Sequence, residues 1–82
     1  MLQTILRLPS VKAESGYSRS TIYLRISQGL WSRPVSLGAR AVGWPAGEVA
    51  VLNAARIASK SDADIRALVL KLEAARASAP SA

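Results

Sequence analysis

PSVKAESGYSRSTIYLRISQG, residues 9 to 29, holds two short helical patterns joined at a glycine. Pro9 suits the first turn of a helix, where its missing N–H has no partner to lose, and Gly16 suits the left-handed position that ends one. Residues 9 to 15 therefore read as a helix with Val11 and Ala13 turned inward. Ser18 is a good N-cap for a second helix from Arg19 to Gln28, and Tyr17 and Ile22 are spaced to form a hydrophobic staple at its entry. Ile22 and Ile26, four apart, share a face, and Gly29 supplies the stop. Two short helices at a glycine turn match a DNA-reading helix-turn-helix, although helical hairpins with no nucleic-acid role share that spacing.

Downstream, RPVSLGARAVGW (residues 33 to 44) alternates apolar Val35 and Leu37, then Val42 and Trp44, around Gly38 and Ala39. The pattern predicts a short β-hairpin with Arg33 at its base and Arg40 at its tip. Such a ribbon is marginal alone, so Trp44 is expected to pack onto the helices. Pro45 opens a third helix with Glu48 in its first turn, where the helix dipole favours a carboxylate, and with Val49, Leu52 and Ile57 toward the core. Ser61 to Asp64 has the form of a capping box, followed by Ile65, Leu68, Val69 and Leu72 at helical spacing, so a fourth helix is predicted over 62 to 77. Ser78 to Ala82 is small and polar and reads as a frayed tail.

The fold class expected is mainly α with a small β-hairpin: a winged helix-turn-helix over residues 1 to 58, then a C-terminal helix and tail over 59 to 82. At 82 residues there is room for one compact core. Eleven Lys and Arg against five Asp and Glu leave a net charge of +6, which favours polyanionic partners. Residues 1 to 58 carry seven basic and two acidic side chains and 59 to 82 four and three, so the polyanion surface belongs to the first two thirds. With no Cys and no His, thiolate or imidazole metal sites and Cys or His catalysis are excluded. The carboxylates are scattered and the serines lack a His base, so no enzyme, cofactor or small-molecule ligand is expected. No apolar run is long enough to span a membrane, and Met1 to Leu6 is too short for a signal peptide, which points to a cytoplasmic, nucleoid-associated protein.

The candidate DNA-binding residues on the second helix are Arg19, Ser20, Thr21, Tyr23 and Arg25. Arginine can pair two donors with guanine and the hydroxyls can reach phosphates or bases, the alternative being a solvated polar face. Arg33 and Arg40 would grip phosphates or enter a minor groove, the alternative being cations that deter edge-to-edge aggregation. Trp31 and Trp44 are assigned to the core rather than to base stacking. The Ile65, Leu68, Leu72, Ala75 spacing suits either packing on its own domain or self-association through helix 62 to 77, and the repeat is too short to choose.

Leu8-Pro9-Ser10-Val11, Gly16-Tyr17-Ser18-Arg19-Ser20-Thr21-Ile22-Tyr23, Gly29, Arg33-Pro34-Val35, Leu37-Gly38, Arg40-Ala41-Val42-Gly43-Trp44 and Glu48-Val49, in this order, resemble the AlpA family of small DNA-binding regulators from prophages and other integrating elements. The likeness covers residues 5 to 58. It implies a winged helix-turn-helix of the MerR and excisionase group that binds double-stranded DNA, with Ser18 to Arg25 in the major groove and the hairpin around Arg40 in the adjacent minor groove. Four positions depart from the family pattern. Its usual Arg-Leu after Ile-Tyr is Leu24-Arg25 here, which moves the second cation about 100° round the helix. A common wing cation is Ser36, and the usual proline before Arg-Pro-Val is Ser32, so a weaker grip by the wing is expected. The resemblance implies a sequence-specific transcriptional regulator or, alternatively, an excisionase that bends attachment-site DNA; a protein-interaction module or antirepressor acting through residues 65 to 72 is the third reading.

Overall fold

A computed structural model describes residues 4–78, which form seven elements in the order β1 (Ile5–Leu6), α1 (Leu8–Ser15), α2 (Arg19–Ser27), β2 (Val35–Ser36), β3 (Val42–Pro45), α3 (Ala46–Ile57) and α4 (Asp62–Ser78). The chain is mainly helical with one small antiparallel sheet, an arrangement compatible with a winged helix-turn-helix.

Local chemistry sets the helix ends. Gly16 takes φ 75°, a left-handed conformation, and its N–H donates to the Lys12 carbonyl at 2.9 Å, closing α1. Ser18 then caps α2, its hydroxyl accepting from the Thr21 N–H at 3.2 Å. The Ser61 hydroxyl accepts from the Asp64 N–H at 3.1 Å at the start of α4. α4 reaches Ser78, so the rest of the expected frayed tail lies outside the described residues.

The expected hairpin is present, Val35 opposite Gly43 and Ser36 opposite Val42, with the Leu37 N–H donating to the Ala41 carbonyl at 2.8 Å to close the tip. The sheet nevertheless has a third strand. β1 lies along the other edge of β3, Ile5 opposite Pro45 and Leu6 opposite Trp44, giving the order β1-β3-β2. A buried central strand must pair on both sides, and β1 supplies the second set of backbone partners. Gly43 makes this possible, because a Cβ there would overlap Ile5 Cγ2 and sit 3.0 Å from the Leu6 carbonyl oxygen.

The core collects Val11, Ile22, Leu30, Trp31, Trp44, Val49, Leu52, Ala55, Ile65 and Val69. Both tryptophans are interior, and the Trp44 indole donates to the Ser32 carbonyl at 2.9 Å. Tyr17 packs edge-on against Trp31 at 5.8 Å. Two expected inward residues point elsewhere. Ala13 is exposed, because α1 buries only the side bearing Val11 and Ser15, and Ile57 is 84% exposed at the last turn of α3. Their helices turn about 100° per residue, and an apolar side chain off the buried stripe stays outside it.

α4 packs on this same core through Ile65 and Val69, with Leu68 and Leu72 against its edge. Polar pins hold it there. Arg66 Nε donates to the Gln28 carbonyl at the end of α2 (2.9 Å), and Arg76 donates to both Glu48 oxygens (2.6 and 2.8 Å) and to the Arg33 carbonyl (2.7 Å). Glu48 is therefore a buried ion-pair partner as well as a first-turn carboxylate of α3. No helix of the described residues is long and apolar enough to cross a membrane.

Candidate nucleic-acid interface

α2 is presented on one buried and one partly buried isoleucine and on one braced turn. Ile22 is fully buried and Ile26 packs at the core margin, which turns the opposite side of the helix outward. The turn before α2 is held by Tyr17, with the Arg56 guanidinium over its ring at 4.0 Å and that of Arg25 at 5.4 Å. Arg56 also donates to the Ser15 carbonyl (2.8 Å), and Asn53 to that of Glu14 (2.9 Å), so α3 satisfies the last carbonyls of α1 and fixes the angle of the helix pair. An open depression of about 350 Å³ beside this junction is lined by Glu14, Ser15, Asn53, Arg56 and Ile57.

The residues singled out on α2 sort into three groups. Ser18 and Thr21 are joined at the cap, the Ser18 hydroxyl donating to that of Thr21 at 3.0 Å. Arg19 lies over the Tyr23 ring at 5.5 Å, and Tyr23 meets Trp44 of β3 edge-on at 6.4 Å, so this flank of α2 adjoins the wing. Arg25 lies along the Tyr17 side, and Ser20 is exposed between the flanks. At the middle of the outward face stands Leu24, 56% exposed and absent from the sequence-based set of candidates. The signal for it was the Leu24-Arg25 order, which read as a displaced cation rather than as an exposed leucine.

On the wing, Arg40 is exposed at the tip. The Ser36 hydroxyl donates to the Gly38 carbonyl at 3.4 Å, within the turn. Arg33, at the base, is held by α4: its N–H donates to Glu73 at 2.8 Å and its guanidinium pairs with the same carboxylate at 3.4 Å. Among the described residues the cation–carboxylate pairs are Arg33–Glu73 and Arg76–Glu48, and neither involves Arg19, Arg25 or Arg40. Arg76 has its pKa raised, first by hydrogen bonding to Glu48 and also by the Coulombic pull of Glu48 and Glu73, against a desolvation cost. No group of three or more acidic side chains, the remaining ligand types in a chain without Cys or His, gathers into a metal site among the described residues.

Comparison with known proteins agrees with the resemblance read from the sequence. The profile of the family described as Prophage CP4-57 regulatory protein (AlpA) matches residues 4–52. An uncharacterized protein, ORF88, of Enterobacteria phage P4 is 43% identical over 58 residues, a span of 71% of this chain. That span is 66% of the relative's length, a little under two thirds. No solved structure matches the chain.

Proposed function

We propose, since the chain belongs to the AlpA family of prophage regulatory proteins, that it is a sequence-specific DNA-binding transcriptional regulator of a prophage or integrative mobile element. On this reading the helix from Ser18 enters the major groove and the wing around Arg40 the adjacent minor groove. The DNA contacts lie within residues 1 to 58, and the protein works in the compartment that holds the element's DNA. The observation that carries it is the separation of charge. Glu48 and Glu73 are taken up by Arg76 and Arg33, leaving Arg19, Arg25 and Arg40 outside any carboxylate pair among the described residues. Unpaired cations on a helix start and a hairpin tip are suited to phosphates and base edges, and the capped N-terminus of α2 adds backbone N–H groups for a phosphate.

Footprinting on the DNA that flanks the chain's own gene tests the proposal. Protection of a discrete site beside a promoter is expected. A tandem array beside a recombination site would reassign the protein to the excisionases, and protection of no DNA would contradict both.

A further inference from the structure

We propose that Leu24 reads a pyrimidine C5 methyl group in the major groove, a specificity-determining contact that rests on α2 being the DNA-reading helix. Ile22 and Ile26 mark the side of α2 turned into the core, and at about 100° per residue Leu24, two positions from each, points directly away from it. A leucine 56% exposed at that position does nothing for the core. Ser20, Thr21, Ser27 and Gln28 share its outward arc, with Arg19 and Tyr23 along one flank and Arg25 along the other. Of the hydroxyls around it, Ser27 donates to the Leu24 carbonyl at 2.6 Å and Thr21 accepts from Ser18 at 3.0 Å, while Ser20, one turn before Leu24, is exposed. Leu24 is thus an apolar side chain at the centre of a polar face whose flanks are cationic.

That combination suits a duplex better than an apolar protein surface, because Arg19 and Arg25 lack carboxylate partners among the described residues and call for anions on either side of the leucine. In the major groove of a duplex the apolar feature is the C5 methyl of thymine or of 5-methylcytosine. The other base edges present N7 and O6 acceptors or amino donors, none of which a leucine can bond, so Leu24 favours a methylated pyrimidine and leaves those edges unsatisfied.

The test uses the full chain and the best duplex selected from a randomised pool. Replacing each thymine singly by deoxyuridine removes one methyl group and leaves every hydrogen-bonding group in place. One such replacement is expected to weaken the wild-type chain about fourfold, the factor carried by a buried methyl group. Leu24→Ala is expected to bind the thymine and uracil duplexes equally, and to melt with the wild type because the side chain lies outside the core. A parallel series replacing each cytosine by 5-methylcytosine separates the two sources of the methyl, according to which series Leu24→Ala silences. Indifference of the wild type to both series, or a methyl effect undiminished in Leu24→Ala, overturns the role of Leu24 and leaves DNA binding standing. Enrichment of no duplex overturns the reading of α2 and this inference with it.

Discussion

Arg19 begins a helix whose N-terminus, on the proposed reading, faces base edges, and its guanidinium is steadied by the Tyr23 ring at 5.5 Å. Arg19→Ala should cost about 1 to 3 kcal/mol on the cognate site and relax preference at one base position, with non-specific binding falling less. Arg40 is exposed on a hairpin tip, where a cation meets phosphate without reading sequence. Arg40→Ala should weaken cognate and random DNA by similar factors and reduce the salt slope by about one unit. Titrations of cognate and scrambled duplexes at several salt concentrations check both; loss of both duplexes equally by Arg19→Ala, with loss of the cognate alone by Arg40→Ala, reverses the assignment. Gly43 is a test of packing. Its missing Cβ is what lets β1 close on β3, so Gly43→Ala should destabilise the fold by about 1 to 3 kcal/mol in denaturant unfolding, and an unchanged midpoint would mean that β1 does not sit there. At this scale most of the cations and hydroxyls of α2 were legible in the sequence, because Ser18, Arg19, Ser20 and Thr21 cluster at four consecutive helix-starting positions. Leu24 was not, because an exposed leucine in a short helix looks like a core residue until Ile22 and Ile26 are seen to fill the core side.

The helices were legible from their ends, where Gly16, Ser18 and Ser61 act through bonds to residues three or four positions away. β1 was not, since two residues are too few to show alternation and their partners, Trp44 and Pro45, lie far downstream. The place of α4 was undecided for a similar reason: its short apolar repeat fits a core or a partner, and the pins that decide it, Arg66 to Gln28 and Arg76 to Glu48, join residues with no local pattern between them. Leu68 and Leu72 changed together to polar residues should therefore lower the melting temperature of the whole chain, rather than alter its mass in solution while leaving the fold intact. Arg76→Ala should cost about 2 to 3 kcal/mol in equilibrium unfolding, because it leaves the buried Glu48 carboxylate without its partner. A group whose pKa is raised by folding contributes fully below its unfolded value, and for an arginine that covers all neutral and mildly alkaline pH. The Arg76 contribution should accordingly be flat across that window, and a stability loss between pH 7 and 9 traced to this pair by double-mutant cycles would contradict it.

The described residues measure 33 × 26 × 20 Å and the chain carries +6, so the folded part of one copy is about as long as one turn of B-DNA, roughly 34 Å. A single bound copy should protect about ten base pairs, and a footprint of two turns would signify two copies on one site. A net charge of +6 is expected to give weak binding to random DNA at low salt whatever the surface reads, so a gel shift at one ionic strength does not distinguish a reader from a polycation. What distinguishes them is how affinity divides between a chosen sequence and a scrambled one as salt rises. Selecting duplexes from a randomised pool, then titrating the selected and scrambled forms from low to physiological salt, measures this division directly. A reader of the proposed kind enriches one sequence and holds it on the order of a thousandfold more tightly than its scramble at physiological salt, while binding to the scramble fades with the steeper loss expected of phosphate contacts. Enrichment of no sequence, or equal affinity for both duplexes at every salt concentration, would contradict it.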